Sequence, residues 1–119
     1  MIGRLSAYCG AISAGCAAAC GIAYLLGEDL ETISKTLTNS LAITSGIICD
    51  GAKASCAAKI ATAIEGGIMG YNMCKKQKNF CDGDGIIGDG VEKTIQNIGT
   101  LASKGMRETD KVIIEIMTE

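Results

Sequence analysis

GEDLETISKTLTNSLAITSGIICDGAKASCAAK, residues 27–59, is the stretch that decides the fold class. Its first twenty residues read as an amphipathic helix, because Leu30, Ile33, Leu37 and Leu41 recur at helical spacing and line one stripe. Asp29 or its neighbour suits the N-cap, and Gly46 suits the C-terminal end. The apolar pattern then breaks over residues 47–53, where Asp50, Gly51 and Lys53 sit, and resumes after Cys56. This break reads as a loop between two helices, with a thiol at each end, Cys49 and Cys56.

The same reading extends in both directions. Upstream, residues 10–26 form a helix of small residues ended by Gly27, with Cys16 and Cys20 four apart on one face. Downstream, a third helix runs over residues 55–73 with Cys56 in its first turn. Gly66, Gly67 and Gly70 weaken that helix locally but let another backbone come close. KKQKNFCDGDGIIGDG, residues 75–90, is a long surface loop. Residues 91–104 and 108–117 give two further helices, with Ile95, Ile98 and Leu101 and then Val112, Ile113 and Ile116 as apolar faces. Strand signals are scarce and the chain has no proline to interrupt a helix. The expected fold is all-α: a compact bundle of about five helices rich in small residues, with the thiol loop between helices 2 and 3. The 119 residues suit a single domain, and neither a repeat nor a linker is visible.

Composition limits what such a bundle can do. One Phe, three Tyr and no Trp stand against 16 Gly, so each side chain buries little area. A core of that kind needs close backbone approach, a bound group, or a larger body to pack against. The net charge is −2, and Lys75, Lys76 and Lys78 are the only basic cluster, so nucleic-acid binding is not expected. The absence of His removes the commonest general base and the commonest zinc-ligating nitrogen. Seven cysteines, an odd number mostly set in helical runs, point to a reducing cytoplasm rather than a disulfide framework. Residues 5–27 carry no charge, but 18 of those 23 are Ala, Gly, Ser, Cys or Tyr, and Arg4 is the one preceding charge. A tightly packed internal helix therefore fits better than a membrane span or an export signal.

Two constellations could carry chemistry. The acidic loop at Asp82 departs from a calcium-binding loop, with Ile86 and Ile87 at its fifth and sixth positions and Lys93 where the bidentate Glu belongs. It reads as a solvated turn. Among the cysteines, Cys16, Cys20 and Cys74 fall inside helices and read as small buried hydrophobes, while Cys81 lies in the long loop. Cys9, Cys49 and Cys56 fall at helix ends or in a loop, where helix N-termini stabilise thiolates. Three thiolates leave one position open and suit a 4Fe–4S cluster with a Lewis-acidic fourth iron better than a closed zinc site. Spacing alone leaves standing an alternative, a non-enzymatic helical structural or interaction domain whose thiols are merely buried.

SAYCGAISAGCAAACGIAYLLG (residues 6–27), GIICDGAKASCAAKIATA (46–63) and DGVEKTIQNIGTLASKGMRETDKVIIEIM (89–117) together resemble the C-terminal part of the L-cysteine desulfidase family. That family belongs with the alpha chain of iron–sulfur L-serine dehydratases, and the resemblance covers essentially the whole chain in register. It implies that Cys9, in Ser-Ala-Tyr-Cys-Gly, and Cys49 and Cys56, in Cys-Asp-Gly-Ala-Lys-x-x-Cys, hold a 4Fe–4S cluster. The six residues between Cys49 and Cys56 are as in the desulfidase branch; the longer, proline-containing insert of the dehydratase branch is absent. The implied reaction is a β-elimination without pyridoxal phosphate, in which the open iron binds the substrate carboxylate and polarises the β-leaving group. The substrate is a small amino acid: L-cysteine would give pyruvate, ammonia and hydrogen sulfide, and L-serine pyruvate and ammonia. Asp50 and Lys53 would contact substrate or orient the loop. Members of the family are several times longer, so the catalytic base is expected in an N-terminal portion outside this sequence. That portion, or a further copy of the chain, is the expected partner.

Overall fold

The computed structural model describes residues 9–119. Five α-helices run in order: α1 (Gly10–Leu25), α2 (Leu30–Thr44), α3 (Ser55–Lys75), α4 (Gly90–Thr100) and α5 (Arg107–Thr118). No strand occurs among the described residues. The all-α expectation holds, and most boundaries fall within a residue or two of those read from sequence.

Local chemistry accounts for the helix ends. Gly27, at φ +81, takes the left-handed turn that stops α1. The Asp29 carboxylate accepts the Thr32 N–H at 2.8 Å and so satisfies one of the free donors that open α2. Between α4 and α5 the chain winds a π-helical turn, Leu101–Gly105, in which the Met106 N–H reaches the Leu101 carbonyl at 3.1 Å. Sequence reading continued the fourth helix unbroken to residue 104. A straight α-helix overshoots a full turn by about 40° every four residues. The wider turn takes back that drift and leaves Ile98, Ala102 and Met106 all buried.

Helices α1, α2 and α3 pack on one another through small residues. A Cβ on Gly15 would lie 2.4 Å from the Ala63 Cβ, and one on Gly67 would lie 2.5 Å from the Ala19 Cβ. These contacts advance together along both helices, so α1 and α3 run parallel. Thr44 meets Gly66 and Ser40 meets Gly70, which advance in opposite senses, so α2 is antiparallel to α3. The interface depends on Gly and Ala because larger side chains would hold the helices apart.

The buried face of α2 is largely polar, with Leu41 as its one fully apolar buried residue. Thr36, Ser40 and Thr44 are buried one turn apart, with Ser40 Oγ donating to the Thr36 carbonyl at 2.6 Å and Thr44 Oγ1 to the Ser40 carbonyl at 2.8 Å. Asn39, fully buried, donates to the Gly70 carbonyl and to Asn79 Oδ1, and accepts the Phe80 N–H. It thereby ties α2 to α3 and to the loop that follows. The apolar core is small: Ile12, Cys16, Leu41, Ala63, Ile98 and Met106, with Cys9, Leu37, Ile47 and Ile86 packed against it. Leu30, read as the start of the apolar stripe of α2, is 78% exposed, because it stands at the outer tip of the α1–α2 turn. Ile95, Leu101, Val112 and Ile116 are likewise exposed, and only Ile98 and Ile113 of the two expected faces are buried.

Candidate functional site

The parallel pairing of α1 and α3 sets two helix N-termini at one end of the layer, beside the C-terminal end of α2. Cys9 is the N-cap of α1, and its carbonyl accepts the Ile12 and Ser13 N–H groups at 3.0 and 3.1 Å. Cys56 is the second residue of α3. Cys9 lies six residues before Gly15 and Cys56 seven before Ala63, and Gly15 and Ala63 touch. At about 1.5 Å of rise per residue, the two cysteines lie level to within about 2 Å along neighbouring helices. Cys49 stands in the loop that joins α2 to α3 at the same end. All three are half-buried and free.

The loop is held from inside α3. Lys59, one turn beyond Cys56, donates its ammonium to the Ile48 carbonyl at 3.0 Å and to Asp50 Oδ1 at 2.5 Å. The bond to Lys59, with the Asp50 N–H next, holds the Asp50 carboxyl below its ordinary range. In return the Asp50 bond raises Lys59 above the usual lysine value, and the nearby Cys56 and Cys49 sulfurs add to the rise. Gly51 takes φ +90, and its carbonyl accepts from the Cys56 thiol at 3.4 Å. A Cβ on Gly51 would also lie 3.0 Å from Met117 Cε, so the end of α5 covers the loop.

The remaining thiols behave differently. Burial pushes the Cys16 thiol up, partly offset by its contact with Thr44. Burial first and the Cys16 sulfur second raise Cys20, and burial raises Cys74. Cys16 is buried in the helix layer as a small hydrophobe, whereas Cys20 and Cys74, also read from sequence as buried, are half-buried at its edge. Cys81 is exposed in the long loop, as read from sequence.

The donor set suits an iron–sulfur cluster: three half-buried thiols, two helix N-termini and one ammonium at one end of the fold. Among the described residues, no three His, Cys, Asp or Glu side chains approach closely enough to hold a single metal ion. A cluster differs because each thiolate takes a different iron, which spreads the ligands. Of the two candidate substrate contacts, Asp50 is engaged by Lys59. Lys53 is exposed, and its carbonyl accepts the Cys56 N–H at 2.9 Å. Sequence reading missed Lys59, although an acid at 50 and a base one turn into the next helix was the available signal. The Met117 contact, 66 residues away in sequence, had none. Ser6, Ala7 and Tyr8, which precede Cys9 in its motif, and Arg4 lie outside the described residues. Among the described residues no helix is long and apolar enough to cross a membrane.

Comparison with known proteins gives a consistent set of relatives. The profile of the serine dehydratase alpha chain family matches residues 1–115. A UPF0597 protein of Desulfitobacterium hafniense is 58% identical over 116 residues, covering 98% of this chain and 27% of its own length. One from Finegoldia magna is 55% identical over 118 residues, covering 99% and 28%, and one from Treponema denticola 48% over 116, covering 98% and 27%. The chain thus spans just over a quarter of the length of the curated relatives it matches. No solved structure matches it.

Proposed function

From the premise that this chain belongs to the serine dehydratase alpha chain family, we propose that it is the cluster-bearing part of an amino-acid β-eliminating lyase. The reading is carried by one observation: Cys9 and Cys56 lie level at the N-termini of parallel neighbouring helices, with Cys49 in the adjoining loop. These three cysteines would hold a 4Fe–4S cluster, and the fourth iron would supply Lewis acidity toward a leaving β-thiol or β-hydroxyl. The free N–H groups of the two helix ends would be available to the sulfides of such a cluster. Asp50 and Lys59 shape the loop that carries Cys49, while Lys53 stands exposed beside it as the cation available to a substrate carboxylate. Burial of Cys16 keeps its thiol out of the chemistry. The resemblance to the desulfidase branch, with six residues between Cys49 and Cys56, favours L-cysteine over L-serine, with pyruvate, ammonia and sulfide as products. The base that takes the α-proton belongs to the portion of the longer relatives that this chain does not span. That portion is the partner we propose, in a reducing cytoplasm.

Iron and acid-labile sulfide, measured after anaerobic reconstitution of this chain and of Cys49→Ser, test the reading. The expected result is about four irons per chain, lost in the variant. Absence of iron in the parent chain, repeated with the rest of a longer relative supplied, would overturn it. The non-enzymatic alternative predicts that replacing Cys9, Cys49 and Cys56 together changes only packing.

A further inference from the structure

The two hydrogen-bond acceptors of Lys59, the Ile48 carbonyl and the Asp50 carboxylate, flank Cys49 on either side in sequence. An ammonium bound to the backbone of one neighbour and the side chain of the other restrains the residue between them as a clamp would. The Lys59 side chain is only 20% exposed, so its position is defined by these bonds and not by solvent. It projects from α3 one turn beyond Cys56 and reaches back to the residues on either side of Cys49. No other cation bonds this loop among the described residues. Lys53 is exposed, and the remaining ion pairs join residues elsewhere.

We propose that Lys59 is a positioning residue, which holds Cys49 in place by bridging Ile48 and Asp50 and sets the local charge at the Cys49–Cys56 pair. The proposal rests on reading these cysteines as ligands, but its central claim concerns the chain without iron. Asp50 then has a defined part: it neutralises Lys59 and limits how positive the surroundings of Cys49 become. Removing the lysine leaves a bare carboxylate beside the thiols, and removing the carboxylate leaves a bare ammonium.

Those opposite signs provide the test. Cys49 in the full iron-free chain is alkylated at one pH with iodoacetate, which is anionic, and with iodoacetamide, which is neutral. The ratio of the two rates, followed by mass spectrometry, senses local charge and cancels the thiolate fraction. Cys81, in the distant exposed loop, is the internal reference. Lys59→Met is expected to lower the ratio at Cys49 by about threefold, the size expected of one unit charge acting through water over a few ångströms. Asp50→Asn is expected to raise it by a similar factor, Lys59→Arg to keep it within about twofold of the parent, and the Cys81 ratio to stay constant. An unchanged ratio in Asp50→Asn, or movement of both variants in the same direction, would overturn the proposal even if Lys59→Met folds poorly. Iron content of the parent chain is read separately, so failure of the clamp and failure of the cluster reading are distinct results.

Discussion

Glu28 is the residue that closes the end of the helix layer opposite the cysteines. Its Oε1 accepts from the Lys75 ammonium at 2.7 Å and from the Tyr71 hydroxyl at 2.7 Å, joining the α1–α2 turn to the end of α3. The Lys75 bond, then the Tyr71 bond, hold the Glu28 carboxyl below its ordinary range. A carboxylate depressed in the folded state contributes stability above its unfolded value, about 4.3, and loses it as pH falls through the lower folded value. Thermal melts of the parent and Glu28→Gln should therefore differ most near neutral pH and converge as pH falls below about 4. A gap that stays constant down to pH 3 would show that the bond contributes no pH-linked stability. None of this was legible in sequence, because Glu28 lies more than forty residues from both Tyr71 and Lys75. The caps were legible, since Asp29 and Gly27 act on backbone groups within three residues of themselves.

At the level of the helices, the α1–α3 interface turns on residues that lack side chains. A Cβ on Gly15 would meet the Ala63 Cβ at 2.4 Å and the Ala63 carbonyl carbon at 2.7 Å, so the backbones themselves would have to part. Gly15→Ala should cost stability in the upper part of the range of about 1–3 kcal/mol, which exceeds the gain in helix propensity. Gly21, in the same helix, has nothing within 4 Å of the equivalent point. Gly21→Ala should therefore stabilise by about 0.5–1 kcal/mol. Urea midpoints of the two variants check this, and equal shifts of one sign would mean that α1 and α3 do not pack in this register. The glycines of α3 announced a close approach in sequence. Which helix approaches, and in which direction, did not follow, because α1 offers Ala and Gly along its whole length and α2 offers a row of Ser and Thr, and either could meet those glycines.

Across the whole molecule, large apolar side chains are more often exposed than buried among the described residues. Tyr24, Leu25 and Leu30 at the α1–α2 tip are 71%, 83% and 78% exposed, and Val112, Ile114 and Ile116 of α5 also face outward. A surface of this kind suits a chain that spans just over a quarter of its relatives' length. Leu25→Lys should leave the chain's stability within about 0.5 kcal/mol, a change in melting temperature of less than about 3 °C. A larger fall would show that Leu25 is covered in solution, by a second copy or another part of the chain.

Helix type, the thiol loop and every helix end but that of α4 were determined by the sequence alone, because they depend on spacing, caps and breaks acting within a few residues. The division of the cysteines into helix-borne and end-borne groups followed from the same local pattern. The tertiary structure decided the rest. The parallel run of α1 and α3 brings Cys9 level with Cys56, and Lys59 reaches back to Ile48 and Asp50. It also decided which apolar residues are covered. These outcomes depend on which small-residue faces meet and at what register, and that is set by steric fit between distant segments.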